Sequence, residues 1–182
     1  RMAAEVGRYL PEIVRHFATA GDRVLVVRKT ADLLLLRDVL AHCGGRMDAR
    51  HVAWIVSNLL NLSCYLDYAR LAHNALLADT WFVSPERHSG ALLGGWWYAV
   101  RQGERMTAAP AAALQYAPFE VTARRCGDIR TDLELIRALG RELLGDASGL
   151  RLARDKAARG EATPGLAVEV SMGQIAKSVF IY

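Results

Sequence analysis

HVAWIVSNLLNLSCYLDYARLAHNALLAD, residues 51–79, is the stretch on which the fold turns. Val52, Ile55, Val56, Leu59, Leu62 and Leu66 recur in it at three- and four-residue steps, the spacing at which an α-helix gathers apolar side chains on one face. Trp54 and Leu60 widen that face, and Asp48 just upstream is placed to accept from the first free amides. Asp67 stands where a second N-cap is needed. Leu71, Ala72, Ala75 and Leu76 then supply the inner side of a shorter helix. The stretch reads as a helical hairpin.

Working outward, an offset of 37 residues carries His51 onto His88, Ile55 and Val56 onto Leu92 and Leu93, and Leu59 and Leu60 onto Trp96 and Trp97. The apolar phase survives the shift. Ser84 and Pro85 suit the start of a helix, since Pro costs nothing in a first turn, and the Ala-rich segment 108–117 takes the part of the short partner helix. TDLELIRALGRELLG supplies a third unit, with Thr131 and Glu134 as a capping box, Leu133, Ile136, Leu139, Leu143 and Leu144 as a buried stripe, and Gly145 as the stop. Upstream, residues 2–19 show helical spacing through Val6, Leu10, Ile13, Val14 and Phe17. A helix is also expected over 32–42, and the β-branched patch 23–29 is left unassigned.

The predicted fold class is all-α: helical hairpins over 1–145, stacked as a short α-solenoid or closed into a bundle. Residues 146–182 form a charged linker and an irregular C-terminal extension. Stacking follows because a two-helix unit cannot cover its own apolar face.

The chain has 182 residues, is 52% hydrophobic and carries a net charge of +4, enough apolar content for one substantial core. Lys29, Lys156 and Lys177 are the only lysines among the 23 basic residues, so the positive charge is carried by arginine, which suits phosphate contacts but also follows from a GC-rich coding sequence. Cys43, Cys64 and Cys126 are odd in number and have no CxxC spacing, which predicts an intracellular, reducing compartment rather than a disulfide framework. The longest apolar runs fall short of the ~20 residues of a membrane span.

NLLNLSCYLDYARLAHNALL resembles the hairpins of heptatricopeptide and octotricopeptide repeat proteins of mitochondria and chloroplasts. The resemblance implies stacked helix pairs that present a basic or polar face to RNA, in an organellar matrix and within ribonucleoprotein assemblies. It covers 48–79 best, and Gly94, Gly95, Trp96 and Trp97 depart from it in the second unit.

Clusters that could carry chemistry are better explained structurally. Cys64, Asp67 and His73 have the residue types of a nucleophile, orienter and base, but their spacing does not bring imidazole to sulfur, and Cys64 is expected as a small buried hydrophobe. His42, Cys43 and His51 lack a fourth metal ligand. Asp128 and Asp132 are accounted for by helix capping and the helix dipole. No catalytic residue, metal or cofactor is therefore predicted. The expected function is that of a non-catalytic helical-repeat protein binding RNA or ribonucleoprotein as a subunit of a larger complex. Arg50, Arg70, Arg87, Arg101, Arg105, Arg124 and Arg125 are the RNA contacts, and Trp96, Trp97, Phe180 and Tyr182 face partners. An all-α assembly subunit contacting only protein is the alternative, and a cysteine-dependent enzyme the third reading.

Overall fold

The computed structural model describes residues 6–146. Two helices carry its core. The first half of the quoted stretch is helix α2, Ala49–Tyr68, and the last is α5, Ile129–Leu143. The predicted stripe holds: Val52, Ile55, Val56, Leu59, Leu62 and Leu66 are all at most 1% exposed, and they pack against Leu135, Ile136, Leu139 and Leu143 of α5. Asp48 caps α2 as expected, accepting from the Arg50 amide at 2.9 Å. Leu60 is 37% exposed and lies off that face.

The all-α reading is overturned. Seven strands in three antiparallel sheets accompany the helices among the described residues, so there is no array of helical hairpins and no solenoid. The second limb of the quoted hairpin is not a helix: α2 runs through Asp67 to Tyr68, and the chain then turns at Arg70, which has a left-handed φ of 58°. It continues as β4, Leu71–Ala72, paired with β7, Val100–Arg101. The apolar residues that suggested a helix, Ala72, Ala75 and Leu76, are fully buried, but by long-range packing of a short strand and the loop after it. Six residues are too few for periodicity to separate these cases.

The other differences have the same origin. Residues expected to start a helix at Ser84 form a hairpin, β5, Trp81–Ser84, and β6, Ser89–Leu92, with β3, Leu34–Leu35, on the other side of β5. Pro85 sits between these strands, where its missing N–H breaks no ladder. The later part of the first expected helix is instead strand β1, Ile13–Ala18, which forms an antiparallel ribbon with β2, Arg23–Val27, in the patch left unassigned, with an irregular register between Ile13 and Arg15. The helix expected over 32–42 contracts to α1, Leu36–His42.

The Ala-rich segment is helical as expected, in α3, Ala111–Tyr116, and a further short helix α4, Phe119–Arg124, follows it. In α5 the N-cap is Asp128, whose carboxylate accepts from the Arg130 amide, rather than Thr131. Leu135 takes the inward position expected of Leu133, which is 38% exposed. The linker and extension over 147–182, with Phe180 and Tyr182, lie outside the described residues.

Sheet and helices meet at Trp81, which is fully buried beside Tyr9 with ring centroids 6.1 Å apart. Tyr9 donates its hydroxyl to Asn58 Oδ1 at 2.8 Å, tying the N-terminal segment to α2.

Candidate functional site: a fixed loop and a basic hollow

The loop between β4 and β5 is held by a carboxylate that the sequence had assigned to capping. Asp132 is fully buried on α5, and its two oxygens accept from the backbone amides of His73 and Asn74, each at 2.7 Å. Asn74 has a left-handed φ of 62°, a conformation Asn tolerates better than most residues. Its side chain donates to the carbonyls of Ala72 and Tyr98. Thr80 closes the loop: its hydroxyl donates to the Ala75 carbonyl at 2.5 Å and accepts from the Leu77 amide at 3.1 Å.

His73 is fully buried with its ring edge-on to Trp96, centroids 4.8 Å apart. Gly95, at φ 78°, lies so close that a Cβ there would come within 2.9 Å of the imidazole. Burial pushes His73 down to about 4, the Gly94 and Ala75 backbone offsetting only part of the cost. Burial likewise pushes Asp132 up to about 7 against the two amides that favour its charged form. Burial thus favours the neutral form of both groups, as the low dielectric around them requires. The sequence held no local signal for the contact, because the partners are 58 and 59 residues apart.

Five of the seven predicted arginines lie on chain segments that adjoin one another through backbone pairing. Arg70 follows α2, and its carbonyl accepts from the Gln102 amide at 2.9 Å. Arg101 lies on β7, and Arg105 forms a bridge with Cys126. Arg125 ends α4, and its carbonyl accepts from the Met106 amide at 2.8 Å. Arg70, Arg124 and Arg130 line a hollow of about 340 Å³ with Cys126 and the backbone of Gly103 and Gly127. Arg130 is engaged bidentately by Asp128, at 3.1 and 2.8 Å, and this hydrogen bond first, with the nearby charges of Arg130 and Arg124, holds Asp128 below the usual carboxylate range. The side chains of Arg70, Arg101, Arg105, Arg124 and Arg125 are exposed and form no hydrogen bond or ion pair among the described residues. Arg50 at the start of α2 and Arg87 in the β5–β6 turn stand apart from these segments, and Arg87 pairs with Asp32 at 3.3 Å.

The remaining predicted residues divide. Trp97 is 72% exposed, whereas Trp96 is half-buried and donates to the Leu92 carbonyl at 2.9 Å. Cys64 is exposed on α2, not buried, because it points away from the apolar stripe, and His73 is sealed inside the fold. No group of three or more His, Cys, Asp or Glu among the described residues could hold a metal ion. No described helix is long and apolar enough to cross a membrane. The chain matches no model of a known protein family and no curated protein sequence.

Proposed function

We propose that this chain is a non-catalytic binding domain that engages RNA or a ribonucleoprotein through the face bearing Arg70, Arg101, Arg105, Arg124 and Arg125. The observation that carries the reading is that these five exposed arginines, none in a hydrogen bond or ion pair among the described residues, lie on three segments that adjoin one another. Guanidinium groups match phosphate geometry and stay charged at any physiological pH. Nearby acids are partly spoken for, with Asp128 bound to Arg130 and Asp67 accepting from Gln102. Tyr68 and Phe119, 76% and 84% exposed on the elements leading to Arg70 and Arg124, offer flat surfaces on which a base can stack.

The fixed loop supports the non-catalytic half of the reading. Phosphoryl transfer by protein kinases uses a loop of the form H-R-D-L-x-x-x-N, with Asp as base and Asn on magnesium, and a further Asp from D-F-G. The loop anchored by Asp132 has His73 and Leu76 at that spacing, but Ala75 and Thr80 stand in the Asp and Asn positions. The turn after β6 reads Gly94-Gly95-Trp96, with no carboxylate. In this firmly held loop the His73 imidazole is sealed inside the fold and Asp79 pairs with Arg37, an arrangement that suits a scaffold.

Affinity for a single-stranded RNA measured between 50 and 200 mM salt tests the proposal. About five phosphate contacts give a log–log slope of about −3 to −4, and replacing Arg70, Arg124 and Arg125 with Ala should flatten it by about 2. Arg50→Ala with Arg87→Ala should leave it unchanged. Negligible affinity at 50 mM, or a slope indifferent to the triple change, sinks the reading in favour of a protein-only partner.

A further inference from the structure

A second cavity, of about 420 Å³, opens between β3, α1, α2 and the β5–β6 hairpin. Its volume falls in the range of small-ligand sites and far exceeds a packing void. Val39, Met47, Ile55 and Val83 make an apolar interior. One wall is aromatic: Trp54 stands edge-on to His88 with centroids 5.6 Å apart, and His51 stacks on the same ring at 6.3 Å. Beside them at the mouth lies His42. None of the three imidazoles has a hydrogen bond or ion pair among the described residues, although each carries at least one N–H able to donate. The only carboxylate in the lining, Asp38, already faces Arg37 at 3.7 Å.

We propose that this cavity binds a small aromatic carboxylate, its ring among Val39, Ile55 and Trp54 and its carboxylate accepting from His51 and His88. The argument is complementarity at both ends. An apolar chamber with one aromatic wall favours a flat ring, and a mouth supplied with unused imidazole donors favours an anionic acceptor. Nothing in this site draws on the basic face, so the two proposals stand or fall separately.

The probe is 2-naphthoate, titrated against the full chain and followed by Trp54 fluorescence and the Met47 methyl resonance. Saturable binding at micromolar to submillimolar concentration is expected. Neutral 2-methylnaphthalene and cationic 2-naphthylmethylammonium should bind about tenfold more weakly, the worth of a hydrogen bond to a charged group. His51→Ala with His88→Ala should cost naphthoate a similar factor and erase the preference among the probes, with the thermal midpoint unchanged. Val39→Trp fills the chamber and should abolish binding, and Leu34→Trp, entering from the exposed rim, replaces it if that variant does not fold. Equal affinity for the three probes, binding indifferent to the filling variants, or none at millimolar concentration overturns the proposal.

Discussion

At the scale of single residues, Asp132 and His73 show how buried titratable groups oppose one another. Asp132 holds its proton more tightly folded than unfolded, its value rising from 3.8 to about 7. Its contribution to stability is complete below about pH 4 and is lost as pH rises through about 7. His73, lowered from 6.5 to about 4, contributes fully above about pH 6.5, and that contribution is lost as pH falls through about 4. The two nearly cancel between pH 4 and 7. Asp132→Asn should expose the histidine alone: relative to the parent, urea-unfolding stability should fall by on the order of 3 kcal/mol from pH 7 to pH 4. A pH profile parallel to that of the parent would refute this coupling. The variant should also be weaker at every pH, because one amide loses its acceptor. Gly90 is a second case. A methyl group there would enter the Trp81 indole, so Gly90→Ala should destabilise by about 1–3 kcal/mol, read as a lower denaturant midpoint with unchanged slope.

At the scale of elements, length decides how much the sequence tells. The stripe of α2 repeats over some twenty residues, long enough for a 3.6-residue period to stand out, and its six residues at three- and four-residue steps are all buried, though Leu60, expected to widen it, is not. The Asp48 cap was legible for the same reason: it depends on neighbours two residues away. Short runs were not legible. Leu71 to Leu76 contains apolar residues at spacings that fit a helix, a strand or a packed loop, and cross-strand pairing with Val100 and Arg101 settled the matter. The β1–β2 ribbon makes the point from the other side. Ile13, Val14, Phe17, Leu25 and Val26 are 40–57% exposed, so the helical spacing of the first three reflected no buried face. A two-stranded ribbon gains little from its own pairing. Amides of residues 13–27 should therefore exchange with deuterium orders of magnitude faster than those of α2. Protection equal to that of α2 would mean that the ribbon is covered in solution.

At the scale of the whole molecule, the offset of 37 residues found in the sequence does not signal a repeat. His51 and His88, superposed by that offset, stack on each other in one tertiary contact, and the segments that follow them are a helix and a strand. Five of the predicted arginines lie on segments that meet only in the folded chain. Bringing those segments together needs the β4–β7 pairing and the interlock of 101–106 with 125–127, neither of which is periodic.

Patterns carried within one turn of chain or along one long helix were determined by the sequence alone: α2 and its stripe, the Asp48 cap, the helical character of α3 and α5, and the abundance of arginine. These depend on neighbours that the chain itself places side by side. Tertiary structure decided the three sheets, the Asp132 clamp on His73 and Asn74, the aromatic cavity and the meeting of the arginine-bearing segments. Each of those joins residues far apart in the chain, and whether such a contact forms depends on which other surfaces are left to bury, information that no local spacing contains.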